Sequence, residues 1–331
     1  MINLSALTDD PRWLPHRLDP VKGEVVFLRL EREALTAPGF LADRQPQTPA
    51  EEVRLPLARF ADMKPDSGPL HFIFHTAFCR STLLVRALNI AGVSAGLSEP
   101  GIIGSLLSTG PSARPLIPAV LNLLSRPWSS GEAVIVKPTN HANALIPALL
   151  AARPDSKAVL MTNRLESFLT AVVRKGLMGR RWSRRLYLEL QGYAPLDLGM
   201  DGRETFALTD LQVAGLAWFL NQRYFAALLR QYGERLRALD GDRFDGERMA
   251  TFSALSRFWQ LGLDDPGIAM VAEGPAFRSH AKLGGDFREA DSRSRERSTS
   301  AVTEEEIAQT AEWIELIAQQ AGLEVPLRQT L

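Results

Sequence analysis

The sequence predicts an α/β protein in which a three-layer parallel sheet is flanked by helices and preceded by a small N-terminal β-containing extension. From residue 69 onward, apolar strand segments alternate with helical segments: "LHFIF" precedes "STLLVRALNIAG", "AVIVK" precedes "ANALIPALLAA", and "KAVLMT" precedes "RLESFLTAVVRKG". Strands that are apolar on both faces are typical of a parallel sheet with helices on both sides.

Residues 1–68 have a different pattern and are predicted to form an extension or small subdomain. The segments "GEVVFLRLE" and "EVRLPLARF" alternate in polarity as strands do, and the proline-containing "RQPQTPAEE" separates them. The remaining residues, 69–331, are predicted to form the main domain.

The second half of the main domain is predicted to be largely helical. A long helix covers "TDLQVAGLAWFLNQRYFAALLRQYG", with Thr209 and Asp210 as caps and Gly233 at its end. A short strand, "RLRALD", follows, and then helices in "GERMATFSALSRFWQLGL" and "TEEEIAQTAEWIELIAQQAGL". Residues 264–302 lack periodicity and are predicted to form a long loop.

Composition limits the classes of partner. The 331 residues include 38 basic and 38 acidic side chains, so there is no net charge to draw the protein onto nucleic acid or an anionic membrane. The single cysteine, Cys79, excludes an internal disulfide, and the five dispersed histidines lack metal-ligand spacing. The N-terminal "MINLSALTDDPRW" has no signal-peptide pattern. We expect a cytoplasmic protein without a metal or a membrane or nucleic-acid partner, and the oligomeric state stays open.

The turn after the first predicted strand of the main domain is the strongest candidate site. Ligands bind beyond the carboxyl ends of parallel strands, and residues 75–82, "HTAFCRST", lie at that place. Arg80 offers a planar fork of donors for phosphate or sulfate, and Ser81 and Thr82 offer hydroxyls. The G-x-x-x-x-G-K-[ST] pattern is absent, and residues 70–90 contain neither glycine nor lysine. An ordinary strand-helix connection, with Phe78 and Cys79 in the core, is the alternative.

The order of these motifs resembles the sulfotransferase branch of the P-loop fold. "CRSTLL" and the later "LSEP" are similar to that family's P-R-S-G-T-T-L-L loop and the segment after it, although Phe78 replaces the basic residue and Arg80 the glycine. The resemblance extends over residues 69–325 and implies binding of 3'-phosphoadenosine 5'-phosphosulfate. It implies a donor cradle composed of His75, Thr76, Cys79, Arg80, Ser81 and Thr82.

The resemblance also implies a region that holds the 3'-phosphate of this nucleotide. "NRLESFLTAVV" is similar to the family's R-D-P-x-x-x-x-x-S segment, with Arg164 at the arginine position. Valine occupies the position of the serine, so Ser167 or Thr170 would supply the hydroxyl. The family's second phosphate loop corresponds to "FRSHAKLGGDF", where His280 and Lys282 are candidates.

Three further residues are candidates for catalysis. Glu99 follows a short predicted strand and is a candidate base for the proton of an acceptor. Lys137 ends "AVIVK" at the ligand-binding edge, and His141 follows four residues later. A surface acid, a solvent-facing strand end and a packed histidine are the corresponding structural alternatives.

The sequence therefore predicts a sulfotransferase that passes a sulfuryl group to a hydroxyl or amine of an unidentified small-molecule acceptor. Two alternatives remain. One is a P-loop small-molecule kinase, which would need a loop lysine and an acid for Mg²⁺. The other is a non-catalytic nucleotide-binding protein that has kept the fold.

Overall fold

The computed structural model of the protein describes residues 4–278 and 301–331 and confirms the predicted α/β class. The strands are β1 (Trp13–Asp19), β2 (Glu24–Arg29), β3 (Glu52–Pro56), β4 (Leu70–His75), β5 (Ser94–Ser98), β6 (Ala133–Lys137), β7 (Ala158–Thr162) and β8 (Leu236–Asp240). The helices of the first half are α1 (Leu4–Asp9), α2 (Leu57–Ala61), α3 (Ser81–Ala87), α4 (Gly101–Thr109), α5 (Ile117–Leu124), α6 (Ile146–Ala152) and α7 (Leu165–Arg174).

The second half of the chain is mainly helical, as the sequence predicts. Its helices are α8 (Gly176–Tyr193), α9 (Gly202–Ala207), α10 (Asp210–Tyr232), α11 (Gly241–Phe244), α12 (Arg248–Trp259), α13 (Asp265–Ala272) and α14 (Ala301–Gln320). Short 3-10 turns occur at Arg32–Leu35, Leu41–Asp43, Pro49–Glu51, Gly110–Leu116, Asn140–Leu145, Gly233–Arg235 and Pro275–Phe277.

The strands form two sheets. β1, β2 and β3 form an antiparallel sheet in chain order, with Trp13 opposite Arg29. The other five strands are ordered β5-β6-β4-β7-β8, and β6 runs parallel to both β4 and β5. Every residue of β4, β5, β6 and β7 is buried. Burial along both faces explains why β4, β6 and β7 are largely apolar in the sequence.

The chain divides into two compact units. The first contains described residues 4–74, 81–158 and 248–278, and the second contains 75–80, 159–247 and 301–331. The predicted boundary at residue 68 stays a prediction.

In the first unit, the N-terminal segment is fixed by Arg126, whose side chain is only 2% exposed. Its guanidinium donates to the backbone carbonyls of Leu7, Thr8, Asp10, Trp13 and Leu123. Burial lowers the pKa of Arg126 to about 10. Carbonyl oxygens thus replace water around a buried charge, as the cost of desolvation demands.

In the second unit, α10 lies at the centre of an apolar cluster with α7, α8 and α14. The Thr209 side chain accepts from the Gln212 backbone amide at 3.2 Å, and the Gln212 side chain accepts from the Thr209 backbone amide. These two hydrogen bonds form a capping box at the start of α10. The helix ends before Gly233, which has a positive φ of 49°. The predicted start and end of this helix are confirmed.

Two predicted elements differ from the structure. The strand predicted over "EVRLPLARF" ends at Pro56, and α2 follows with Phe60 packed against Phe27. The predicted loop 264–302 contains α13, because Asp264 accepts from the Gly267 amide and Pro266 occupies the first turn.

None of the helices within residues 4–278 and 301–331 combines the length and apolar character needed to cross a bilayer. In the same residues, no group of three or more histidine, cysteine, aspartate or glutamate side chains is arranged to hold a metal ion.

The buried His71 makes stability depend on pH. Its ring stacks on Trp259 with centroids 5.8 Å apart, and burial lowers its pKa to about 4. Because the unfolded chain binds this proton near the ordinary pKa of 6.5, stability falls as pH decreases from about 6.5 to 4, by up to about 3 kcal/mol. We expect His71→Gln to lose less stability over this interval in urea unfolding. Equal losses in both proteins would contradict the assignment.

Candidate functional site

The turn between β4 and α3 has an unusual backbone. Ala77, Phe78 and Arg80 have positive φ values of 76°, 54° and 63°, although none is glycine. Left-handed backbone costs a non-glycine residue about 1 to 3 kcal/mol, and it persists where surrounding contacts enforce it. Turns that mix left- and right-handed residues bring successive amides toward one side and are a known form of anion cradle. The turn therefore has the backbone feature for which phosphate loops ordinarily use glycine.

Contacts within the second unit hold this turn in place. The Thr76 amide donates to the Met161 carbonyl at 3.1 Å, and the Thr76 hydroxyl donates to Asn163 Oδ1 at 3.2 Å. The His75 ring accepts from the Ala77 amide through Nδ1 at 3.1 Å. Gly241 lies so close that a Cβ there would be 2.2 Å from the Cys79 carbonyl oxygen. Gly241, at the start of α11, thus restrains the backbone of the turn at Cys79.

Arg80 is oriented by carboxylates of the same unit. Its Nη1 donates to the Gly241 carbonyl at 3.1 Å and to Asp242 Oδ1 at 2.9 Å, and its Nε lies 3.8 Å from Asp245 Oδ2. Asp242 Oδ2 also accepts from the backbone amide of Arg164 at 2.9 Å. One carboxylate therefore joins the side chain of Arg80 to the first turn of α7. The Arg80 side chain is 38% exposed, so it remains accessible to solvent.

Phe78 and Cys79 pack into the protein. The Phe78 ring lies 5.0 Å from that of Trp182 and 5.7 Å from that of Phe168, between centroids. Cys79 is fully buried. The packing of Phe78 and Cys79 is that expected of an ordinary strand-helix connection. The same turn also contains the three residues with left-handed backbone. Ser81 and Thr82, at the start of α3, are each 4% exposed.

The predicted 3'-phosphate residues lie along α7. Arg164 precedes the helix and is exposed, Ser167 is exposed, and Thr170 is half-buried. The buried Asn163 is adjacent, and its Nδ2 has no hydrogen-bond partner in the part of the chain that the structure describes. His280 and Lys282 lie outside the described residues, so their predicted role stays a prediction.

Glu99 and Lys137 form an ion pair in the first unit. Lys137 Nζ is 2.5 Å from Glu99 Oε1, the Lys137 side chain has no exposed surface, and that of Glu99 is 17% exposed. The Glu99 amide donates to the Lys137 carbonyl at 2.7 Å, and Glu99 has a positive φ of 52°. The ammonium also lies 5.4 Å from the centroid of the Phe40 ring. A lysine that merely ends a strand in solvent would be exposed, so this structural alternative does not hold for Lys137.

The residues after Lys137 are positioned by a 3-10 turn. His141 is half-buried, and Asn140 is 6% exposed with its Nδ2 unpartnered among the described residues. Thr139 is the N-cap residue by backbone conformation, but its side chain makes no capping hydrogen bond. The catalytic role predicted for His141 stays a prediction.

Sequence reasoning missed Gly241 and Asp242. The signal was the "DGD" that ends the strand "RLRALD", because an acid and a glycine at the carboxyl end of a strand lie at the ligand-binding edge. Asn163, which lies between the end of β7 and Arg164, was missed as well. Its position after the carboxyl end of a strand was the available signal.

No family model and no curated protein matches this sequence. Solved structures that are similar to this protein include three sulfotransferases. The sulfotransferase domain from the curacin biosynthetic pathway has 13% identity and a TM-score of 0.41, covering 79% of this chain and 99% of its own. The sulfotransferase domain of the Synechococcus PCC 7002 olefin synthase has 13% identity and a TM-score of 0.41, covering 77% and 96%. A sulfotransferase from Alicyclobacillus acidocaldarius has 15% identity and a TM-score of 0.38, covering 60% and 83%.

The contact between Gly241 and the turn predicts a steric effect. We expect Gly241→Ala to lower the free energy of unfolding by about 1 to 3 kcal/mol or more, because its Cβ would overlap the Cys79 carbonyl. Gly246→Ala is the matched control, since the nearest atom to its Cβ would be 3.7 Å away, and we expect a change within about 0.5 kcal/mol. Equal unfolding curves in urea for the two variants would contradict this contact.

Proposed function

We propose that the protein is a sulfotransferase that uses 3'-phosphoadenosine 5'-phosphosulfate as its donor and a hydroxyl or amine of a small molecule as its acceptor. The observation that carries the proposal is the glycine-free turn, in which three residues accept left-handed backbone directly after a buried parallel strand. Strain of this kind is retained at ligand-binding sites more often than in ordinary connections. The sequence resemblance supplies the identity of the donor.

In this proposal the turn and its arginine hold the 5'-phosphosulfate. Arg80 is the cationic group, and its accessible guanidinium exchanges the Asp242 carboxylate for the donor's oxygens. His75, Thr76 and Cys79 supply the rest of the turn, and Ser81 and Thr82 supply hydroxyls. The absence of a loop lysine makes Arg80 the residue on which donor binding depends.

The 3'-phosphate is assigned to the start of α7. Arg164 is exposed there, and Ser167 and Thr170 lie on the helix that follows. The unpartnered Nδ2 of Asn163 supports the assignment, because a buried amide donor without an acceptor costs free energy that a ligand oxygen would offset.

Glu99 and Lys137 are assigned to the transfer step. The acceptor oxygen or nitrogen attacks the sulfur, the bond from sulfur to the bridging phosphate oxygen breaks, and adenosine 3',5'-bisphosphate leaves. Glu99 takes the acceptor proton, and the Lys137 ammonium offsets negative charge that develops in the transition state. The 17% exposure of Glu99 gives an acceptor access to the carboxylate, while the bond to Lys137 fixes its orientation.

One observation favours the non-catalytic alternative. Arg80 already has Asp242 and Asp245 as partners, so a purely structural role accounts for its position. Arg80 and Asp242 are both partly exposed, and such pairs contribute only about 0 to 1 kcal/mol. Because the pair of Arg80 and Asp242 is weak, displacing the Asp242 carboxylate by a doubly charged ligand costs little free energy.

Donor binding can be tested by calorimetry with adenosine 3',5'-bisphosphate. We expect the protein to bind it and Arg80→Ala to weaken binding at least about tenfold, because one charge-assisted contact is lost. Arg243→Ala, on the same short helix as Asp242 and paired with Glu247 across one helical turn, is the control and should bind normally. Binding of ATP with Mg²⁺ instead would favour the kinase, and no binding of either nucleotide would refute both enzymes.

The base can be tested by transfer of radiolabelled sulfate to a panel of hydroxyl and amine acceptors. We expect Glu99→Gln to lower kcat by about 10² to 10⁴ and to leave affinity for adenosine 3',5'-bisphosphate unchanged, because only proton transfer is lost. The thermal stability of this variant is measured in parallel, since Lys137 would lose its buried carboxylate partner. Glu273→Gln, at an exposed residue of the same unit, is the control. Undiminished transfer by Glu99→Gln would exclude Glu99 as the base.

A further inference from the structure

A second cationic feature lies in the first unit, near the C-terminal end of α3, the helix that begins with Ser81 and Thr82. Arg86, on α3, is 8% exposed, and its Nε and Nη1 have no hydrogen-bond partner in residues 4–278 or 301–331. No carboxylate in those residues forms a salt bridge with it. Buried arginines are ordinarily paired with acids or surrounded by carbonyls, as Arg126 is in this protein.

The charged neighbour of Arg86 is another arginine. Burial, and then the positive charge of Arg44, lower the pKa of Arg86 below its ordinary value. The Nη2 of Arg44 donates to the carbonyls of Ala34, Ala37 and Pro38, but its buried Nε has no partner among the described residues. Arg44 is thus the like-charged residue that acts on Arg86, and buried donors on both side chains lack acceptors among the described residues.

The fold brings Arg44 and the chain that follows α3 to the same segment, residues 34–38. Arg44 contacts its carbonyls, and Asn89, one turn after Arg86, donates to the neighbouring Leu35 carbonyl at 3.4 Å and to the Gly96 carbonyl at 3.0 Å. Glycine at position 96 allows β5 to approach α3, since a Cβ there would be 2.0 Å from the Val85 carbonyl oxygen. These contacts fix the end of α3 against the segment that Arg44 binds.

We propose that Arg86 and Arg44 form a binding site for one tetrahedral oxyanion, either phosphate or sulfate, free or as a group on a larger molecule. Such an anion supplies the acceptors that three guanidinium nitrogens of these residues lack, and it compensates two adjacent positive charges.

The surroundings of Arg44 limit the ligand to a small anion. Arg44 lines a surface cavity of about 380 Å³, which gives access from solvent. Glu31, Glu33 and Glu51 line the same cavity, and Glu31 is already paired with Arg29 at 3.1 Å. Acidic side chains that line the cavity disfavour a polyphosphate, so the ligand expected at the two arginines is a single oxyanion.

The test is thermal unfolding with sodium phosphate or sodium sulfate titrated against chloride at constant ionic strength. Every protein carries Arg80→Ala, so anion binding at the proposed donor turn does not contribute. We expect this parent to gain roughly 3 to 6 °C in Tm at a hundred times Kd. Adding Arg86→Met should abolish the gain without lowering Tm in chloride, because an unpaired buried charge is removed.

Two further variants make the result specific. Arg44→Gln should weaken anion binding at least tenfold, and Arg54→Gln, in the same unit and paired with Glu52 at 2.8 Å, should leave it unchanged. Phenyl phosphate in place of inorganic phosphate distinguishes the source: a retained gain indicates a group on a larger molecule, and a lost gain indicates the free ion. The proposal is overturned if the parent gains no stability with either anion, or if Arg86→Met or Arg44→Gln binds as the parent does. Either result leaves binding of adenosine 3',5'-bisphosphate at the donor turn to its own test.

Discussion

The backbone of residues 77–80 is the constraint on which the proposed chemistry depends. Three non-glycine residues there have left-handed φ values, and their local preference would favour another conformation. The turn is held by the close approach of Gly241 to the Cys79 carbonyl and by the hydrogen bonds of Thr76. A phosphate loop ordinarily obtains this shape from glycine within the loop, whereas here the glycine lies on a neighbouring element.

The same arrangement explains how Arg80 occupies a position where the loop motif that the sequence resembles has glycine. Its side chain leaves the turn toward α11 and is held by Asp242, which also accepts from the Arg164 amide. A charged side chain at this position therefore has a partner in the protein itself. If the turn binds a donor, the donor competes with the Asp242 carboxylate for Arg80. The affinity for the donor then depends on how much more favourable its interaction with Arg80 is than that of Asp242, and not on the charge of Arg80 alone.

Buried charges in the first unit fall into two kinds. Lys137 is enclosed but paired with Glu99, and Arg126 is enclosed by carbonyl oxygens, so the desolvation of each is compensated within the protein. Arg86 is enclosed, and its Nε and Nη1 have neither kind of partner within residues 4–278 and 301–331. This contrast within one unit is what makes Arg86 informative, because the fold supplies acceptors or a counterion to Lys137 and Arg126 but, in the described residues, to neither Nε nor Nη1 of Arg86.

The sequence by itself determined the α/β class, the positions of most strands and helices, and the turn at 75–82 as the candidate site. These features depend on local periodicity, capping and apolar runs, which neighbouring residues in the chain encode. It did not determine the positive φ values of Ala77, Phe78 and Arg80, the role of Gly241 and Asp242, or the lack of an acidic partner for Arg86 in the part of the chain that the structure describes. Those properties arise from contacts between segments far apart in the chain, such as Cys79 with Gly241 and Asn89 with the Leu35 carbonyl, and only the tertiary structure decides which distant groups meet.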